Sequence, residues 1–309
     1  MAESRRPWRW VQATLAVIVM ILAGRYLARQ WEGFRTQAID WQLSPLWLLL
    51  SVALVWTAYA ILVEGWRRVV LSMQQRLSYR EAARICMISN LGRYLPGKVW
   101  AIAGAAWLAG RAGVHAGVAV AAALILQALA LASGLVMVAA LAPGAILGLG
   151  GGARTTLVAV AAVALGALLV FVIPGLLIRL RPWLPATLRT LMPVAPAAML
   201  AGFLANLLAW GLYGLAFQAL VHGLVPDTVL GWPEATAVFA TSYLVGLIAA
   251  LAPGGLGPRE FVFVLLLSPS LGPKLAVALA VASRLLLTVT ELGASLPFLA
   301  ALRRALRDS

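Results

Sequence analysis

A chain of 309 residues with 63% hydrophobic and only 11% charged residues cannot cover itself with polar surface, since soluble domains carry about 25% charge. Its apolar runs are too long and unbroken for a transmembrane barrel, which alternates apolar and polar positions. The net charge of +14, from 24 basic and 10 acidic residues, sits in loops between apolar runs, which is membrane topology and not a nucleic-acid face.

The N-terminus places Arg5, Arg6 and Arg9 before an apolar stretch from Val11 to Gly24. No small-residue cleavage site follows, so the stretch reads as a retained first helix and not as a signal peptide. Apolar spans then run near 10–28, 45–64, 114–141, 156–178, 197–221 and 275–301. Each is close to the roughly 20 residues that a spanning helix needs. Between them lie two broken segments, 81–110 and 234–268. The Gly148–Gly152 tract lacks the Lys-Ser/Thr of a phosphate-binding loop and follows no strand, so it reads as a connector.

The first broken segment reads Asn90-Leu-Gly-Arg93-Tyr94-Leu-Pro96-Gly97-Lys98, with Trp100 just beyond; the second reads Pro253-Gly254-Gly255-Leu-Gly257-Pro-Arg259-Glu260. Pro-Gly at bilayer depth frees backbone polar groups, which survive only against protein or a water-filled cavity. A cation there marks a functional site by default. From Glu81 to Leu95 is 15 residues, roughly 22 Å of helix against a hydrocarbon core of about 30 Å, which favours re-entry for the first segment.

Each half reads span, span, broken hairpin, span, and both hairpins open with Glu-Ala, at Glu81 and Glu234. An odd number of crossings inverts the second half. The expected fold is an all-α integral membrane protein with inverted-topology repeats, 1–144 and 145–309, of about six full spans plus two re-entrant hairpins. With both termini cytoplasmic, the cations at 5–9, 67–84, 111, 179–189 and 303–307 fall inside, 15 in all, against five outside.

A half-helix starting after each break offers free N–H groups and a partial positive charge. With Arg93, Lys98 and Arg259 added, the expected ligand is an anion, phosphate above all. Gly97, Gly254, Gly255 and Gly257 permit close backbone approach. The bland alternative has Arg93 snorkelling, Lys98 on a carbonyl and Arg259 paired with Glu260 or Glu291.

Arg284 and Glu291, seven apart on the last span, share one helix face; they read as a structural pair or as a coupling relay. Asn90, Gln127, Asn206 and Gln218 read as interhelical glue. Most of the tryptophans, Trp47, Trp66 and Trp232 among them, read as an interfacial belt, with Trp100 and Trp107 left to line a cavity. Cys86 is the single cysteine, and His115 and His222 lie far apart, so neither a disulfide nor a metal centre is expected. No catalytic, cofactor or nucleotide motif is visible, so no enzyme activity is expected.

At its two motifs the chain resembles the transmembrane, flippase-type domain of bacterial lysyl-phosphatidylglycerol synthases and their stand-alone relatives. The stretches from Asn90 to Lys98 and from Pro253 to Glu260 carry the resemblance. It implies residence in the bacterial inner membrane and movement of a lipid between leaflets. Aminoacylated phosphatidylglycerol is the family's best-known cargo; short relatives are linked with glycolipid, polyprenyl-phosphate and hopanoid pathways. No aminoacyl-transferase domain is read in the sequence up to Ser309, so synthesis of lysyl-phosphatidylglycerol is not expected of it. Three readings follow: a transporter of lipids with anionic head groups, an ion- or proton-coupled small-solute transporter, and a non-transporting partner of a lipid-modifying enzyme or glycosyltransferase.

Overall fold

The computed structural model describes residues 39, 41–94, 99–141, 194–248 and 257–307. Among them are eight α-helices and no strand. In chain order these are α1 (Pro45–Ser72), α2 (Tyr79–Asn90), α3 (Val99–Arg111), α4 (Ala116–Leu141), α5 (Pro196–Leu224), α6 (Trp232–Ile248), α7 (Pro258–Leu271) and α8 (Pro273–Arg307), with a single 3-10 turn, Leu91–Tyr94, after α2. Helices α1, α4, α5 and α8 are long and apolar enough to cross a membrane. They coincide with four of the expected spans. The other two, 10–28 and 156–178, and the connector at 148–152 lie outside the described residues.

Local chemistry sets the helix starts. Proline opens α1 and α5 at their first turn, where its fixed φ suits the helix and its missing N–H goes unused. Ser78 caps α2: its Oγ accepts from the Glu81 amide at 3.3 Å, while the Glu81 carboxylate accepts from the Ser78 amide at 3.2 Å. Gly257 caps α7 with φ at 90°, a conformation that strongly favours glycine.

Helices α1 and α5 run antiparallel along their whole length. The Ser44 amide donates to the Gly223 carbonyl at 2.9 Å, and the Ser51 hydroxyl donates to the Ala216 carbonyl at 2.7 Å. Further along, a Cβ built on Gly65 would lie 2.9 Å from that of Ala205. Small residues let the two backbones close together, which is how helices associate where lipid tails remove the hydrophobic driving force. The same device joins α5 to α6: a Cβ on Gly214 would fall 2.6 Å from Thr236 Cα.

The first helix of each broken segment packs on a helix far away in sequence. Helix α2 lies on α8, where the Ser295 hydroxyl donates to the Met87 carbonyl at 2.9 Å. Helix α6 lies on α4, where the Leu244 methyls would come within 3.0 Å of a Cβ at Gly134. Helix α8 is polar inward and apolar outward. Ser283, Thr290, Glu291 and Ser295 are buried, whereas Leu285, Val289, Leu292 and Leu296 are exposed. That inversion is what lipid demands of a span carrying polar groups.

Gly214→Val should overpack the α5–α6 crossing and cost about 1–3 kcal/mol. Gly110→Ala, which meets nothing within 4 Å, should leave stability unchanged or slightly raised. Thermal unfolding in detergent measures both; equal melting temperatures for the two variants would contradict the close crossing.

Candidate functional site

The first motif folds as the end of α2, the 3-10 turn and the start of α3. A Cβ on Gly92 would meet the Ala101 amide nitrogen at 2.6 Å and the Trp100 carbonyl carbon at 2.7 Å. The turn therefore lies against the first turn of α3, closer than any side chain allows. This positions Arg93 and Tyr94 toward α8. The Arg93 Nη1 donates to Glu291 Oε1 at 2.6 Å and its Nη2 donates to Asn90 Oδ1 at 2.8 Å. The Tyr94 hydroxyl donates to Glu291 Oε2 at 2.5 Å. Glu291 is only 4% exposed, and both its oxygens are engaged. Removing one partner of such a buried pair strands a desolvated charge.

The second motif enters the described residues at Gly257. Its amide donates to Glu260 Oε2 at 2.8 Å, and Arg284 Nη1 donates to Glu260 Oε1 at 2.9 Å. Arg259 takes a different course. It is 4% exposed, with its guanidinium 5.2 Å from the Phe239 ring centroid and 5.5 Å from that of Phe263. Its Nη2 donates to the Ser283 hydroxyl at 3.3 Å, and its Nε has no partner. Among the described residues no carboxylate reaches it. Two ring faces and a hydroxyl recover about 2 kcal/mol or somewhat more, against a desolvation penalty of several kcal/mol. Arg259 is thus a buried cation short of compensation, at the N-terminal turn of α7.

Arg284 and Glu291, expected as partners from their spacing, do not pair with each other. Two turns of one helix separate them by about 10 Å along the axis. Each instead takes an opposite charge from a broken segment packed beside α8: Glu260 and Arg93. The same arrangement leaves neither Glu260 nor Glu291 to Arg259. Pro96, Gly97, Lys98, Pro253, Gly254 and Gly255 lie outside the described residues.

Arg93 and Glu291 form part of the wall of a cavity of about 270 Å³, together with Asn90, Gln127, Asn206 and Tyr243. Sequence reasoning gave the two tryptophans of α3 to such a cavity and Trp66 to the interface. The structure reverses them. Trp66 is 4% exposed and lines the cavity, because it shares an inward α1 face with Tyr59 and Val63. Trp100 and Trp107 are each 53% exposed, and the Arg111 guanidinium covers the Trp107 ring at 5.0 Å. Tyr59, Tyr213 and Tyr243 also line the cavity and were missed. The seven-residue spacing of Tyr59 and Trp66 on one helix face was the available signal. Gln218, expected as interhelical glue, instead donates to the Leu230 carbonyl at 2.8 Å, in the connector that follows its own helix.

The family model for the lysylphosphatidylglycerol synthase TM region matches residues 9–293. The chain belongs to that family. No curated protein matches it. Membership makes this an integral membrane protein related to lipid metabolism or transport, and both motifs fall inside the matched stretch. For this family member the described geometry ties each motif to α8 by one ion pair.

Arg93→Gln or Glu291→Gln alone should each destabilise the protein by about 3 kcal/mol. The double variant should cost clearly less than the sum, since it leaves no unpaired charge. A double-mutant cycle by thermal or denaturant unfolding in detergent measures this; additive losses would mean that the pair is not coupled.

Proposed function

We propose that the protein moves a lipid with a phosphate-bearing head group between leaflets, as a flippase or scramblase, without covalent chemistry. The observation that carries this reading is Arg259: a guanidinium 4% exposed, with an unpartnered Nε, on the first turn of a helix. An uncompensated cation at a helix N-terminus favours an anion, and phosphate offers oxygens to both the guanidinium and the free amides. Lys98, from the sequence, would complete the clamp. Arg93 is held by Glu291 and contributes through position more than through net charge. Acyl chains would remain in the bilayer while the head group crosses.

The finer topology belongs to the same proposal: two inverted repeats, 1–144 and 145–309, six full spans and two re-entrant hairpins, with both termini cytoplasmic in the bacterial inner membrane. Helix lengths support it. Helices α2 and α3 have 12 and 13 residues, roughly 18–20 Å each and short of a crossing of about 30 Å. The packing supports it too. The described part of each half runs long helix, broken pair, long helix, and α1 and α5 lie antiparallel, as an in-plane two-fold axis requires. Helix α8 packs on α2 as α4 packs on α6.

Reconstituted into liposomes with tail-labelled lipids, the parent should exchange anionic phospholipid between leaflets. Arg259→Gln and Lys98→Ala should each lower the rate about tenfold or more while the protein stays folded, the scale of one lost charged hydrogen bond. Arg259→Lys should restore little if phosphate is held bidentately. Parental rates in both neutralised variants would end the clamp reading. Movement of a small solute but no lipid would favour a solute transporter.

A further inference from the structure

We propose that the cavity beside Arg93 receives an uncharged, hydroxyl-rich group, the polyol or sugar portion of a lipid head group, and not its phosphate or an ammonium. The assignment of that group to a lipid rests on the transport reading above. The chemistry of the cavity is read from its own walls.

Charge is already balanced there. Glu291 accepts from Arg93 on one oxygen and from Tyr94 on the other, so it keeps no uncompensated negative charge for an ammonium. Arg93 spends Nη1 on Glu291 and Nη2 on Asn90, and a phosphate entering the cavity would face the Glu291 carboxylate in the same wall. Both kinds of ion are therefore disfavoured.

Apart from the remaining N–H groups of Arg93, whose charge Glu291 already balances, what is left unsatisfied is neutral. Gln127, Tyr213 and Tyr243 line the cavity, and the Gln127 amide and the two tyrosine hydroxyls have no hydrogen-bond partner among the described residues. Asn206 uses its Nδ2 on the Gly202 carbonyl at 2.8 Å, which leaves its Oδ1 for a donor. Asn90 uses its Oδ1 on Arg93, which leaves its Nδ2 for an acceptor. These groups mix donors and acceptors, as the hydroxyls of a polyol require, since each both gives and accepts. The two tyrosines are also held in place. The Phe239 ring stacks between Tyr213 and Tyr243, at 5.3 Å and 6.3 Å, each pair 17° from parallel. A site fixed in this way loses little entropy on binding. Its volume of about 270 Å³ lies just below the range of drug-sized sites, about 300 Å³ upward, so it suits one ring and not an extended chain.

The test uses the purified full chain and three short-chain lipids that share a phosphate: dioctanoyl phosphatidylinositol, phosphatidate and phosphatidylethanolamine. Binding is read by native mass spectrometry. The inositol lipid should bind about tenfold more tightly than phosphatidate, the scale of one or two neutral hydrogen bonds. Tyr243→Phe combined with Gln127→Leu should abolish that preference and leave phosphatidate binding unchanged. Arg259→Gln should weaken all three alike. Equal binding by the parent, or tightest binding of the ethanolamine lipid, overturns the proposal without recourse to any variant. Tail-labelled forms of the same lipids, followed in proteoliposomes, separate the two readings. A binding preference without flux leaves the cavity assignment standing and removes transport. Flux without a preference does the reverse.

Discussion

A carboxylate on a membrane-spanning helix must turn away from lipid and find a cation, because the hydrocarbon core offers it nothing. Glu291 is in this position on α8, with exposed Val289 and Leu292 on either side of it in sequence. Its two oxygens are met by Arg93 and Tyr94, both from the turn that follows α2. That turn can reach them only because Gly92 lets its backbone rest on the first turn of α3. The shape of the first broken segment is thus set by the need to neutralise one charge. The cavity follows from it, since Arg93, Asn90 and Glu291 are all part of its wall.

Helix α8 organises more than this pair. Arg284 holds Glu260, and through it the capped start of α7. Ser295 holds α2, and Thr290 meets α1 through Tyr59 and through Trp56. Neutral bonds of this kind contribute about 0.6 kcal/mol each in membranes. The ion pairs matter more, since stranding either partner is costly. Hydroxyls therefore align the bundle, while charge fixes which segments meet. Arg259 stands apart, supported by two rings and one hydroxyl.

Much of this was legible in the sequence because lipid enforces simple rules. The runs at 45–64, 114–141, 197–221 and 275–301 became α1, α4, α5 and α8. Motifs centred on Arg93 and Arg259 could be singled out because cations and Pro-Gly breaks are rare in apolar sequence. Pairing was not legible. Arg284 and Glu291 share a helix face, and spacing alone suggests that they meet. It takes the neighbouring helices to reveal that Arg93 and Glu260 reach them first. The tryptophans failed for a related reason. Composition places Trp66 and Trp100 near helix ends but does not say which way either helix is turned. Gly92 lay inside a recognised motif, yet its value depends on a backbone that arrives from α3.

Because Arg284 and Glu291 clamp two different segments from one helix, the bonds fix the rotational setting of α8 and not only its position. Each residue of an α-helix advances the direction of its side chain by about 100°. A single-residue insertion or deletion between 284 and 291 would keep every residue type and nearly the same hydropathy, yet turn one clamp toward lipid whenever the other was seated. Substitutions elsewhere on the outward face, at Leu285, Val289 or Leu292, change only what the bilayer touches. Over these two turns α8 should therefore tolerate many replacements in composition and almost none in length.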